Sequence, residues 1–210
     1  MASELRLPVQ RRSKESWARV LDAGVRILSE QGYEGFTIAA ICERASVAPR
    51  FIYDRVDDKD TLFLAVYEHG LAEVSAEQEI LLDSNRWSGL GPEELVAGAV
   101  HEVGERFRLH HDFLRSVVLI SSSIAEVAVR GAQERQRFSD QFAQLLGGLH
   151  PLIQHADPEL AIHLCFDLVF SSWVVRTAYG ETFSSASMDD EAFDRHLKDV
   201  AVRYLLSPAN

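Results

Sequence analysis

The side chains of this 210-residue chain best suited to surface chemistry lie in one short stretch, ASVAPRFIYDRV, Ala45 to Val56. Arg50 and Arg55 carry planar guanidinium forks, which match paired acceptors such as a guanine edge or a phosphate. Tyr53 offers a phenol, and Phe51 an apolar ring. If Ile52 faces inward from a helix opened by Pro49, helical geometry directs Ala48, Pro49, Arg50, Phe51, Tyr53, Asp54 and Arg55 outward. So many large side chains on a segment too short to hold its own core imply a partner outside the chain.

Catalytic patterns are missing from the rest of the sequence. There is no HExxH, P-loop, GxGxxG or GxSxG, and no run of His, Cys and carboxylate has metal-ligand spacing. The adjacent pair His110-His111 falls where one helix ends and the next begins, so capping and exposure account for it. Cys42 and Cys165 stand apart inside apolar helical patterns, as two buried thiols in a reducing compartment. The expectation is therefore a protein that is not an enzyme and needs no cofactor or metal.

The formal net charge is −11, but its distribution is uneven. Residues 1–60 hold 10 Lys and Arg against 10 Asp and Glu, so all of the excess acid lies in residues 61–210. A balanced amino-terminal segment on an acidic body can hold a local positive face: Arg6, Arg11, Arg12 and Lys14, then Arg50, Arg55 and Lys59. No run reaches the ~18 consecutive apolar residues of a membrane helix, and the basic, polar start is unlike an export signal. A cytoplasmic location without a membrane partner is expected.

Apolar spacing at helical period continues almost throughout, without a convincing alternating run. The spacing predicts about nine helices. The first runs from Ser13 to Gln31, stopped by Gly32, and Thr37 caps a second ending near Ala45. Pro49 opens a third, and Asp57 and Asp58 cap a fourth from Lys59 to Leu82. Asp83 to Pro92 reads as a loop. Further helices are expected at Glu93–Leu109, Asp112–Val129, Ala132–His150, Pro158–Tyr179 and Asp189–Leu206, with Gly131 and the pair Gly147-Gly148 as stops. The fold class is all-α: an amino-terminal three-helix unit, residues 1–56, fused to a larger helical bundle, residues 57–210.

Two short helices joined by a tight turn and braced by a longer first helix form the layout of a helix-turn-helix unit, whose last element lies in the DNA major groove. Ile38, Ile41, Val47 and Ile52 would face the first helix. The stretch Val20 to Leu62, VLDAGVRILSEQGYEGFTIAAICERASVAPRFIYDRVDDKDTL, resembles the TetR-type (tetracycline-repressor-like) transcription regulators. The likeness rests on Gly32-Tyr33, Thr37, the Ile41 to Val47 turn region, Ile52-Tyr53, and Lys59 with Leu62.

That resemblance implies roles on double-stranded operator DNA. Thr37 and the amides at its helix start, with Tyr53 and Lys59, would hold phosphates. Arg50 would read a guanine edge, with Arg55 second. Arg6, Arg11 and Arg12 would form a minor-groove arm or else an unstructured tail. Bland alternatives exist: Arg50 can pair with Asp54 four residues on, and Tyr53 can belong to the core. The sequence departs from the family pattern at Ser46, usually glycine, at Phe51, usually a small hydroxyl residue, and at Val56, often an aromatic. A phenyl ring at Phe51 would contact thymine methyls or sugar instead of phosphate.

The resemblance also implies a homodimer through the last two helices and a small organic effector bound in the bundle. The helix PELAIHLCFDLVFSSWVVRTAY is apolar nearly all round, as in a helix buried on more than one side. Phe193, Leu197, Val200 and Tyr204 form a stripe on the last helix. Candidate effector contacts are Phe107, His110, Arg115, Phe138, Phe142, Phe166, Phe170, Trp173 and Arg176, although aromatics at helical spacing also simply make core. The alternative function is a helical protein-interaction module or scaffold without DNA binding.

Overall fold

The computed structural model describes residues 11–121, 123–183 and 186–207. Among these residues the chain forms ten α-helices and no strand, grouped in two compact units. One unit comprises the described residues of Met1–Val74 with Asp112–Val129; the other comprises Ser75–His111 with the described residues of Arg130–Asn210.

In the first unit, α1 (Arg11–Gly35) buries Trp17, Val20, Ala23, Gly24, Ile27 and Leu28 on one face. Gly32 interrupts its helical geometry at φ 66°, the left-handed region where glycine carries no penalty, as its expected role as a stop requires. Thr37 caps α2 (Ile38–Ala45), its hydroxyl accepting from the Ala40 amide at 3.2 Å. Pro49 opens α3 (Pro49–Tyr53), and α4 runs Lys59–Gln78. Asp58 caps α4 by accepting from the Thr61 amide at 2.8 Å.

α4 passes so close to α1 that a Cβ on Gly24 would lie 2.5 Å from a Val66 methyl. Ile41, Ile52, Val56, Leu62, Phe63 and Val66 complete the core with Phe113 and Val117 of α7 (His111–Ile120). Neither α2 nor α3 is long enough to be stable alone, and each persists here through this apolar contact.

The second unit contains α5 (Ser84–Trp87), α6 (Pro92–Leu109), most of α8 (Ala125–Leu146), α9 (Pro158–Tyr179) and α10 (Asp190–Leu206). α6 packs on α9 and α10 around Val96, Val100, Val103, Ile162, Phe166, Trp173, Ala201 and Leu205. Two expectations require correction. Asp83 to Pro92 is not wholly a loop, because α5 forms there. Asp83 accepts from the Asn85 amide, the Trp87 indole donates to the Ile80 carbonyl at 3.1 Å, and Arg86 bonds the buried Glu102.

Gly131 does not end a helix either. α8 passes through it, and the break falls earlier, after Ile120. A glycine inside a helix costs only ~1 kcal/mol relative to alanine, less than the burial of Phe138, Phe142 and Leu146 returns. At the actual break the Ser121 hydroxyl bonds the Val118 carbonyl at 2.7 Å, competing with the helix for its own backbone.

α9 presents two different sides in the single chain. One side is buried, but Leu160, Leu164, Leu168, Val175 and Tyr179 are exposed along the other. Among the described residues it is the one helix long and apolar enough to cross a membrane by length and composition.

Candidate nucleic-acid interface

The turn between α2 and α3 is closed by the backbone. Ser46 adopts φ 54°, ψ 50°, and its amide bonds the Cys42 and Glu43 carbonyls. It is the one non-glycine residue with positive φ among those described. Arg19 of α1 donates to the Ala45 carbonyl at 3.4 Å, adding a cap at the end of α2. These contacts hold α3 with Ile52 fully buried and Ala48, Pro49, Arg50, Tyr53 and Asp54 exposed.

Arg50 extends into solvent with 90% of its side chain accessible, and its Nε is 4.0 Å from Asp54. That is the outer limit of an ion pair, and at this exposure it restrains the guanidinium little. Tyr53 is 53% exposed, so it is not a core residue. Thr37 is exposed at the start of α2. Its oxygen accepts the Ala40 amide, which leaves the hydroxyl proton available for an outside acceptor.

Lys59 sits 4.0 Å from the centroid of the Tyr33 ring, with its charge at the start of α4. The Tyr33 hydroxyl donates to Asp60 at 3.2 Å. Burial first, and Asp60 second, hold the Tyr33 phenol above its ordinary pKa, so the ring stays neutral beneath the ammonium.

Two sequence-derived roles change. Arg55 is only half exposed; it lies over Phe51 and donates to the Phe51 carbonyl and the Ser13 hydroxyl. Its guanidinium is held inside the unit and is a poor second reader of bases. Phe51 is half-buried against the apolar core, with Arg55 stacked above it. Arg11 and Arg12 open α1 as helix, Arg11 bonding Glu15 at 3.0 Å. Arg6 lies outside the described residues.

Ser13, Arg19 and Tyr33 support this surface, although their sequence context did not single them out for those contacts. The fold also gathers Asp22 of α1 with His69 and Glu73 of α4, His69 bonding Asp22 at 2.7 Å. No local spacing announces this group, because Asp22 and His69 are 47 positions apart.

The residues proposed for an effector separate. Phe138, Phe142, Phe166 and Phe170 pack ring against ring at 5.4–5.6 Å, and Phe107 meets Phe170 at 5.1 Å. They form core. Arg115 is exposed on α7, in the first unit, and needs no buried partner. His110 ends α6, its amide bonding the Arg106 carbonyl at 3.2 Å. Phe107, Trp173 and Arg176 do come together, around a cavity of about 110 Å³. Arg176 is buried there, bonded to Asp190 and Glu181 and to the Met188 carbonyl.

Residues 20–66 match the family model of bacterial regulatory proteins of the tetR family, the segment from mid-α1 into α4. This segment is a TetR-family helix-turn-helix DNA-binding domain. The whole chain has the fold of TetR-family regulators. A bacterial regulatory protein in the tetR family from Rhodococcus RHA1 superposes with TM-score 0.67 at 16% identity, over 93% of this chain and 99% of that one. The TetR-family regulator PfmR from Thermus thermophilus gives 0.62 at 17% identity, over 88% of this chain and 97% of that one. FadR from Bacillus subtilis, solved with stearoyl-CoA, gives 0.62 at 14% identity, over 90% of this chain and 99% of that one. No curated protein matched the sequence. In the TetR-family domain described here, α2 and α3 are the helix-turn-helix pair.

Proposed function

We propose that this chain is a homodimeric repressor that binds a palindromic operator and is released from it by a small organic effector. The observation that carries the DNA-binding part is the outward set on α3: Arg50 and Tyr53 exposed, with Ile52 buried beneath them. Arg50 reads a base edge, while Thr37, Tyr53 and Lys59 hold phosphates and fix the register. Residues up to about 56, joined by Lys59 at the start of α4, make these contacts, and residues 57–210 provide the dimer and the effector cavity.

The dimer reading is supported by the exposed apolar side of α9, whose spacing of four and seven residues defines one helical face. With the Phe193, Leu197 and Val200 side of α10, it would make a four-helix interface with a second copy. The effector reading draws on the cavity at Phe107, Trp173 and Arg176, and on FadR, a fold relative solved with stearoyl-CoA. Effector binding favours a conformation whose two recognition helices no longer fit successive major grooves, lowering DNA affinity through differential binding to two states.

The test is binding of the purified protein to its own upstream DNA across a salt series. Steep loss of affinity with rising salt is expected, since each phosphate contact releases counterions. Absence of salt-sensitive binding would favour a protein-docking module instead.

A further inference from the structure

The cavity beside Arg176 narrows the chemical class of the effector, an inference that rests on the effector reading above. Phe107, Arg108, Trp173, Arg176 and Glu181 are among its walls, and its volume is about 110 Å³. That is room for a small ring compound or the head of a longer one, below the ~300 Å³ of a drug-sized site.

Its hydrogen-bonding capacity is lopsided. Arg176 is only 4% exposed at its side chain. Its Nε donates to Asp190, and its Nη2 donates to the Met188 carbonyl at 2.8 Å and lies 3.2 Å from Glu181. Its Nη1 is buried with no acceptor, and so are the Nε of Arg108 and the indole Nε1 of Trp173. Three buried donors on residues lining one small cavity favour a ligand that brings an acceptor oxygen.

The charges bear on which kind of oxygen. Arg108 pairs with Glu105 at 2.9 Å, and Arg176 with Glu181 and Asp190. Three carboxylates thus already balance the two guanidinium groups, and the exposed His111 adds at most one further positive charge to the wall. A carboxylate ligand would be brought against Glu181 and Asp190, and a cationic ligand would offer the orphaned donors nothing. The Phe107 and Trp173 rings, nearly parallel at 11° with centroids 6.3 Å apart, stack on each other and give the cavity an apolar wall for an aromatic body.

We infer that this cavity takes an uncharged, carbonyl-bearing aromatic compound, a ketone, ester or amide whose oxygen accepts from Arg176 Nη1 beside the apolar wall formed by Phe107 and Trp173. The acceptor meets the buried donors without adding charge.

The test uses the full chain with four matched probes: acetophenone, benzoate, benzylamine and ethylbenzene. Ligand-observed NMR and quenching of tryptophan fluorescence read binding at millimolar concentration. Acetophenone is expected to bind at least about tenfold more tightly than the other three, because only it supplies a neutral acceptor. Arg108→Gln, at a partly exposed position, is expected to weaken it severalfold while keeping the thermal midpoint. Arg176→Lys tests the second donor, with the midpoint measured alongside to detect unfolding. Benzoate binding more tightly than acetophenone would overturn the charge argument, and ethylbenzene binding equally well would overturn the role of the donors. If none of the four binds but another class of compound releases operator DNA, this inference fails and the effector reading stands. If no compound of any class releases DNA, the effector reading itself fails.

Discussion

The Arg55 guanidinium lies 3.6 Å from the centroid of the Phe51 ring and reaches past it to the Ser13 hydroxyl, joining α3 to α1. The ring at residue 51 is therefore a platform for a structural arginine. Phe51→Ser, which restores the hydroxyl usual in the family, removes both the stacked cation and part of the apolar contact. Loss of ~1–3 kcal/mol of stability is expected, read as a lower urea midpoint with an unchanged slope.

Arg50 and Arg55 should then behave differently in binding assays. Arg50→Ala is expected to relax preference at one operator position, worth ~1–3 kcal/mol against the wrong base. Lys59→Ala should weaken all sequences about equally and reduce the salt slope by about one. Arg55→Gln should lower stability and affinity together without changing base preference. Selection of preferred sites from a randomised operator, run for each variant, separates the three; a changed preference in Arg55→Gln would restore that residue as a base reader.

Ser46 carries positive φ in the helix-turn-helix turn, where a Cβ crowds the backbone. Ser46→Gly removes that crowding but loosens the unfolded chain. With its amide already bonded to two carbonyls, the turn is preserved, and a net gain of ~0.5–1 kcal/mol is expected. Thermal unfolding measures it.

What the sequence made legible was local. Thr37, Gly32 and Pro49 announced the ends of helices because caps and stops act within a few residues. Ile52 announced its burial through helical period. The Arg55 to Ser13 bond crosses 42 positions and Arg86 to Glu102 crosses 16, and no periodicity carries such pairings. Hence Arg55 read as a free cation and α5 as a loop. Gly131 misled for the opposite reason: a real local preference was outweighed by tertiary burial. The aromatic residues of the second unit were visible as a class, but only packing separated the Phe138, Phe142, Phe166 and Phe170 core from the cavity at Phe107 and Trp173.

Burial holds both thiols protonated. The Cys165 thiol is pushed up to about 12 by desolvation, and Cys42 is raised from its ordinary value for the same reason. Neither should react with Ellman's reagent at pH 8 in the native protein, and both should react in guanidinium. The unfolded thiols ionise near 9.0 while the native Cys165 keeps its proton. Stability is therefore unaffected by Cys165 below about pH 9 and falls as pH rises from there toward 12. Cys165→Ala should flatten that alkaline decline in the urea midpoint, whatever its effect at neutral pH.

Leu168 is 57% exposed in the middle of the apolar side of α9. A charge there costs the single chain little, since the side chain already meets water, but it would be buried unpaired in a dimer. Leu168→Glu is accordingly expected to sediment as one 23.5 kDa chain at micromolar concentration with its helical content unchanged. Its affinity for a palindrome should fall toward that for a half-site, because two recognition units no longer bind as one. Retention of the dimer by this variant would move the interface away from α9 and leave the apolar side to another partner.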